Sequence, residues 1–373
     1  MAMVSSASGG QISLAGSATG PGSTNRSMSW EFKGTTTSQT SLSEYYRGGT
    51  YVANHPWNAP VATTGAITIG SFYGASKRYV VSVSITSNTS NYNFQTSSVS
   101  GYTAGWTDAT LVINSGVTVS ASAAGGTALT VTGFNSADTV AIQNSGIIQG
   151  GGGTGGAATG SAGGHAIDLT PASNANVYVS NLSGATIAGG GGGGGRGMAV
   201  YGYYVDNYFN PVAPVTYMRG GGGGGGAGNP VGSGSAAVGS AQGTYYNYLI
   251  SATAGGAGSS SAGGGGGNGD GGYVNVLNNY YLMYAGAGGP GGGQGASGSG
   301  GNQGYLNGPP GVVYIPTTGS ATAAYPGSGV YGVMQSGSNY GSGGAAGYAV
   351  KGTNKLAAGS ISNSGSVYGP QGT

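Results

Sequence analysis

Two uninterrupted runs of seven glycines, at residues 189–195 and 220–226, bracket the tyrosine-rich segment MAVYGYYVDNYFNPVAPVTYM. Glycine loses more backbone freedom on ordering than any other residue. A run of seven therefore has few ordered options. One is a polyproline II-type helix, with three residues per turn and no internal hydrogen bonds, so that its N–H and C=O groups point outward. Without Cβ atoms such helices can approach closely enough to bond to one another, and seven residues span roughly 22 Å. Fixing each backbone residue costs on the order of 1–2 kcal/mol, while a net hydrogen bond returns about 1 kcal/mol. A lone tract stays open; several packed together with their ends held can order.

The arrangement recurs. Glycine-rich tracts at 189–197, 220–234, 255–272, 285–304 and 327–347 alternate with TYYNYLISATA, YVNVLNNYYLMY and YLNGPPGVVYIPTTGSATAAYP, and 18 of the 27 tyrosines lie from Tyr201 to Tyr348. A flexible linker has few aromatics. Tyrosine offers large amphipathic contact area with few rotamers to freeze, which is why it dominates antibody contact loops with Ser, Gly and Asn. The expected form is a set of loops at the bundle ends. The candidate contact residues are Tyr201, Tyr203, Tyr204, Tyr208, Phe209, Tyr217, Tyr245, Tyr246, Tyr248, Tyr280, Tyr281, Tyr284 and Tyr314. Arg196 and Arg219, just inside the first loop's glycine borders, are candidates for an acidic group or for plain solubility.

Residues 77–188 read differently. RYVVSVSITSN, ATLVINSGVTVSAS and TALTVTGFNSADTVAIQNSGIIQ alternate branched and small polar residues, the period of half-buried strands, with Asn-Ser-Gly turns at Asn114 and Asn144. A unit repeats from Gly125, from Gly163 and again from Ala346: an Ala-aliphatic start, a variable turn, an alternating strand, Ser-Gly and a short apolar strand. Ala128 to Gly146 and Ala166 to Gly184 are equal spacings, and Ala349 to Gly365 is two residues shorter. Stacked short strands in a β-solenoid, or a small sandwich, fit this unit. Because the third copy follows the glycine zone, that zone is predicted to be an insertion whose two ends lie close together.

The first 76 residues hold three short motifs, SMSWEFKG, SLSEYYRGG and ITIGSFYGAS. Each suggests one helical turn that docks an aromatic peg on something else. The candidates are Trp30, Phe32, Tyr45, Tyr46, Phe72 and Tyr73, along a tether threaded on a larger partner.

Composition excludes several classes. Nine basic residues, scattered, beside seven acidic ones give no phosphate-binding patch, so no nucleic-acid partner is expected. No apolar run is long enough to span a membrane, and the N-terminus lacks the features of a signal peptide. There is no cysteine. The acids Glu31, Glu44, Asp108, Asp138, Asp168, Asp206 and Asp270 form no close pair for acid–base work, and His55 and His165 are isolated. No glycine run leads into a phosphate-loop Lys-Ser or Lys-Thr. GGGGGNGDGGYVNV has one calcium-repeat-like stretch with the wrong spacing and no second copy. No enzyme activity, cofactor or metal is expected.

The run KRYVVSVSITSNTSNYNFQTSSVSGYTAGWTDATLVINSGVTVS with ALTVTGFNSADTVAIQNSGIIQGGGG resembles a module of bacteriophage tail-fibre and tail-tip proteins, as do the pegs SLSEYYRGG and ITIGSFYGAS. The glycine zone is similar in design to the receptor-recognising adhesins on the long tail fibres of T-even-like phages. The resemblance covers about 27–373, most specifically 79–195. It implies a virion protein that acts at the host surface, with a sandwich of polyglycine II helices whose tip loops bind a bacterial receptor, an outer-membrane protein or a glycan. It also implies attachment to other tail or fibre proteins through the N-terminal region, either as a homotrimer or as a single copy. Strand repeats and pegs stand where the family has a dedicated attachment domain. The alternative reading is a purely structural tail or baseplate component.

The expected architecture is mainly β and irregular with little α-helix. Residues 1–76 form an attachment region, 77–188 a β-repeat domain, 189–345 a polyglycine II bundle with Tyr-rich loops, and 346–373 a final β repeat closing onto 77–188.

Overall fold

In the computed structural model the described residues are 12–13, 26–27, 32 and 42–373, apart from 53, 56–57, 74, 76, 157, 173–175, 206–215, 238–245, 277–278, 308–312, 318–319, 325–330, 337–339 and 358–360. Near the N-terminus Ile12–Ser13 (β1) pairs in parallel with Arg26–Ser27 (β2). The 3-10 turns Leu42–Tyr45 and Ile69–Phe72 carry aromatic rings, as their spacing suggested. The rings do not project as pegs. Phe32, Tyr45 and Phe72 are fully buried and meet edge-on at 5.8–6.0 Å, with Val52, Val61 and Ala75 completing a small core. Three rings drawn from distant turns bury more apolar area against one another than against water, so these three are not available to a partner. Tyr46 and Tyr73 are half-buried, and Trp30 lies outside the described residues. His55 stacks on Tyr79 at 5.7 Å, joining this core to the first strand beyond it.

From Tyr79 the chain winds in rungs of three short strands. The first rung is Tyr79–Ile85 (β3), Thr89–Ser90 (β4) and Tyr92–Gln95 (β5). The second is Thr107–Ile113 (β6), Thr118–Ser120 (β7) and Leu129–Thr132 (β8). The third is Thr139–Asn144 (β9), Ile147–Gln149 (β10) and Ile167–Asp168 (β11), and the fourth opens with Asn176–Asn181 (β12) and Thr186–Ala188 (β13). There the chain departs through a segment holding Val200–Val205 (β14), Thr216–Met218 (β15), Tyr246–Ile250 (β16), Gly271–Val276 (β17) and Asn279–Tyr284 (β18). Tyr305–Asn307 (β19), Val313–Thr317 (β20), Ser320–Ala324 (β21) and Tyr331–Ser336 (β22) follow in the same segment. Val350–Lys351 (β23) completes the fourth rung, and Ser362–Asn363 (β24), Ser366–Tyr368 (β25) and Gln371–Gly372 (β26) make a fifth.

Equivalent strands pair in parallel into three five-stranded sheets: β3-β6-β9-β12-β24, β4-β7-β10-β13-β25 and β5-β8-β11-β23-β26. The short-strand repeat is thus a three-faced solenoid, and each copy of the repeated unit is one circuit of it. Alternation sends one row per face inward. Val83, Leu111, Ile142 and Val179 are in register on the first sheet. Val119, Ile148 and Ile187 align on the second, and Leu129, Ile167 and Val350 on the third. The Asn before each Ser-Gly corner also stacks. Asn144 donates to Asn181 and Asn181 to Asn363, each at 2.9 Å. Asn144 and Asn181 also donate across the corner to the carbonyls of Thr186 and Ser366. Buried amides satisfied in this way fix register as well as holding the corner.

The links from the second sheet to the third lengthen from 121–128 to 150–166 to 189–349, so all the glycine-rich chain leaves from one corner of the solenoid. Its tracts bond at intervals of three. The N–H groups of Gly191, Gly194 and Gly197 donate to the carbonyls of Ala227, Gly224 and Gly221, the repeat of antiparallel polyproline II-type helices. Ten tracts are tied together this way: 150–156, 160–164, 189–198, 220–228, 230–236, 252–258, 262–269, 285–293, 296–302 and 341–348. They lie in three rows. Tract 189–198 bonds to 150–156, 160–164, 220–228, 285–293, 296–302 and 341–348. Tract 220–228 bonds to 150–156, 189–198, 230–236, 252–258, 262–269 and 285–293. The two seven-glycine runs are thus the two helices surrounded on every side.

A Cβ built on Gly194 would overlap the carbonyl oxygen of Gly289, and one on Gly223 that of Gly194. On peripheral tracts the requirement falls to the positions that face inward. Gly341, Gly344 and Gly347 are buried, while Ser342 and Ala345 between them are exposed. Gly265 faces open space. Gly194→Ala is therefore expected to destabilise by about 3 kcal/mol, and Gly265→Ala by no more than about 0.5 kcal/mol. Denaturant unfolding of the two variants checks the difference, and equal effects would remove the close-packing explanation.

Candidate functional site

The tracts alternate in direction, and their connections sort by length. At the solenoid end the turns are short. Ser259 is bonded to Ala262 and Gly293 to Ala296, while the amides of Gln149 and Gln294 both donate to the Ser260 carbonyl. At the far end the tracts run out into every tyrosine-rich segment. The topology therefore gathers those segments at one tip, opposite the solenoid.

There the structure departs from the expectation of loops. The segments pair as two antiparallel sheets, β15-β14-β22-β21-β20 and β16-β17-β18-β19. Aromatic and β-branched residues favour a pleated surface, and each strand finds its partner within the tip. Tyr201, Tyr203 and Tyr204 lie on β14, with Tyr201 directly opposite Tyr217 of β15. Tyr246 and Tyr248 lie on β16, Tyr280, Tyr281 and Tyr284 on β18, and Tyr314 on β20. Tyr208, Phe209 and Tyr245 are outside the described residues. Three tyrosines missing from the sequence-based set join them: Tyr273 on β17, opposite Leu282, Tyr305 on β19, opposite Tyr284, and Tyr331 on β22, opposite Val205. The alternation in YVNVLNNYYLMY was the signal for Tyr273.

An ion pair marks the boundary between bundle and tip. Asp270 is fully buried and receives the Arg219 backbone N–H at 2.8 Å and its guanidinium at 3.1 and 3.3 Å. The Ala252 N–H donates to the same carboxylate. The Asp270 N–H donates to the Arg219 carbonyl, and Ala285 N–H to that of Asp270. Asp270, through its carboxylate and its main chain, thus ties the ends of four chain segments together at the point where glycine gives way to strand. Arg219 is accordingly a structural cation and not a free receptor contact. Arg196 stands at the end of the other interior tract, half-buried.

Two further ionisable groups, Asp138 and His165, sit within the scaffold. Asp138 is fully buried and accepts from the Tyr102 hydroxyl at 2.6 Å and from the N–H groups of Thr107 and Asn135. Burial and this carboxylate push the Tyr102 hydroxyl up to about 12. His165 sits where the inserted chain returns, and its Nδ1 accepts the Tyr348 N–H at 3.1 Å. Burial first, then Lys351, hold it below the ordinary value of 6.5, against an opposing pull from Asp168. Among the described residues, no three His, Asp or Glu side chains gather as a metal site requires, and no helix is long and apolar enough to cross a membrane.

The sequence model of the family described as phage tail fibre adhesin Gp38 matches residues 80–372. No curated protein matches the chain. Among solved structures, the crystal structure of the gp37–gp38 adhesin tip complex of the bacteriophage S16 long tail fibre matches with 21% identity. The match covers 83% of this chain and 88% of that one, with a TM-score of 0.36.

Two outcomes follow from the site's electrostatics. Asp270→Ala leaves Arg219 and two backbone N–H groups without their acceptor and is expected to cost about 3–5 kcal/mol, measured by denaturant unfolding. His165 takes up a proton more readily unfolded than folded, so stability contributed by its neutral form is complete above about 6.5. That contribution falls as pH drops toward the lower folded value. In His165→Asn the amide oxygen can accept from Tyr348 without titrating, so the loss of melting temperature between about pH 7 and 5 should shrink. An unchanged loss would assign the pH dependence to other groups.

Proposed function

Because the chain belongs to the phage tail fibre adhesin Gp38 family, a virion protein of the tail that acts at the host surface, we propose that it binds a bacterial receptor through the tyrosine-rich sheets at the tip. The observation that carries this reading is topological. Every tyrosine-rich crossover of the bundle falls at the end remote from the solenoid, and every turn at the solenoid end is short. A contact surface on a projecting protein belongs at its free end, and the solenoid with its small aromatic core is then the end held by the fibre. Attachment to other tail-fibre proteins uses that N-terminal part. With Phe32, Tyr45 and Phe72 buried in their own core, Tyr46 and Tyr73 are the half-buried pegs among the described residues.

The bundle works as a rigid strut. Most of its hydrogen bonds run backbone to backbone, with side chains of the tracts themselves, such as Ser235 between Gly223 and Gly156, adding a few. The acidic residues that the structure places are used as local acceptors, Asp108 by Arg78 at 2.6 Å, Asp138 by Tyr102 and Asp270 by Arg219. Binding without chemistry is therefore the activity proposed.

The purified chain is expected to compete with phage particles for host cells and to lower adsorption in proportion to its concentration. The double variant Tyr203→Ala with Tyr280→Ala should lose at least about tenfold in this competition, or 1.4 kcal/mol, with its unfolding midpoint unchanged. Competition by neither protein would favour a purely structural tail component.

A further inference from the structure

The sequence has two Asn-Gly pairs, Asn268–Gly269 and Asn307–Gly308, and Gly308 lies outside the described residues. Asn268 and Gly269 end the tract 262–269, immediately before Asp270. The three-residue turn of the tract sorts its N–H groups into rows. One row faces the interior helix: Gly264, Gly267 and Asp270 donate to the carbonyls of Gly225, Gly222 and Arg219. Gly269 belongs to another row, turned about 120° away, and its N–H meets no acceptor among the described residues. The Asn268 side chain is exposed and its amide is likewise unbonded. Its main chain is held by Thr253: the Asn268 N–H donates to the Thr253 hydroxyl at 2.8 Å, and its carbonyl accepts the Thr253 N–H at 2.9 Å.

We propose that Asn268 is a site of spontaneous deamidation, and that the change loosens the closure of the bundle at Asp270. Asparagine is a thermolabile side chain, and here both reacting groups, the side-chain amide and the following N–H, are free of hydrogen bonds. Gly269 has no Cβ to obstruct the approach of its nitrogen to the side-chain carbonyl. In the first step the Gly269 nitrogen gives its proton to solvent and attacks Asn268 Cγ. The N–Cγ bond forms, the Cγ–Nδ2 bond breaks, and Nδ2 leaves as ammonia. Water then opens the five-membered imide. Addition at Cγ gives an aspartate in the normal chain. Addition at the main-chain carbonyl leaves the chain running through the former side chain, one methylene longer, with a free α-carboxylate. Either product sets a negative charge beside the fully buried Asp270 carboxylate. The second also lengthens the path between the Thr253 contact and the Arg219 contact, so the two cannot both stay in register. Asn144 and Asn181 are the internal controls. Their amides are buried and bonded in the corner ladder, and Ser145 and Leu182 follow them.

The test ages the whole folded chain in warm, mildly alkaline buffer, then digests it with chymotrypsin in acid-quenched samples. Peptide mass reports the amide-to-acid change, and an isoaspartyl methyltransferase labels the lengthened product. Conversion at Asn268 is expected to run at least about tenfold faster than at Asn144 or Asn181, and the unfolding midpoint of the aged protein should fall in step with it. Asn268→Ser, a change at an exposed position, should lose the label from that peptide and keep its midpoint on ageing. Conversion at Asn268 no faster than at the two controls, or only after unfolding in urea, overturns the site. Conversion with an unchanged midpoint overturns its link to the Asp270 closure.

Discussion

Everything in this molecule depends on the removal of one atom. Between two peptide chains with side chains, a Cβ holds the backbones too far apart for N–H and carbonyl groups to meet in all directions around a helix. Glycine tracts lift that restriction, and a polyproline II-type helix presents its donors and acceptors three ways per turn. Six neighbours can then be bonded at once. The two helices that have six neighbours are the two runs of uninterrupted glycine. Tracts with an open side require glycine only where they face inward, as at Gly341, Gly344 and Gly347 beside exposed Ser342 and Ala345. The described glycines of the two interior runs do not adopt the left-handed conformations that usually explain the residue. They are selected by proximity, not by φ.

Such a bundle has almost no apolar surface to bury, so its order cannot be initiated by collapse. Each residue ordered costs about as much as its hydrogen bond returns, and the balance turns on how much of the disorder is removed beforehand. The solenoid supplies that constraint. Its rungs have a conventional core of Leu111, Ile142, Ile148, Ile167 and Ile187, and it holds the departing and returning strands at a fixed spacing. Bonds such as Gly150 to Ala188 and Gly189 to Tyr368 graft the first residues of the tracts onto strand ends. The polyglycine helices are thus held in register at the solenoid end. At the opposite end Asp270 and Arg219 perform the reciprocal task, closing the tract ends before the strands of the tip begin.

Local pattern in the sequence was enough for what local pattern controls. The period of two in 77–188, the recurring unit with its Ser-Gly corner, and the late third copy together point to stacked short strands around an insertion. The glycine runs indicate mutual packing. What sequence reading missed is non-local. The strand β14 pairs with β22 across a long stretch of chain, and its pattern is broken by Gly202, so a reading of VYGYYV in isolation favours a loop. Phe32, Tyr45 and Phe72 each look like a lone peg until three turns bring them together. Arg219 looks like a spare charge because Asp270 lies 51 residues away.

The separation of tasks has a consequence for how the tip can change. In an ordinary domain the residues that hold the fold and those that touch a ligand share a core, so altering one disturbs the other. Here the strut is held chiefly by main-chain groups and by small side chains of the tracts themselves, such as Ser235. The tip sheets are bounded by glycine on both sides of nearly every segment, and the carboxylate of Asp270 is the point where side-chain chemistry reaches back into the scaffold among the described residues at that boundary. Substitutions on β16 to β19 are then limited by the pairing of those strands with one another, while the polyglycine bundle beneath them is indifferent to what they carry. A rigid support that is insensitive to its cargo is the physical condition under which the same strut can present different binding faces.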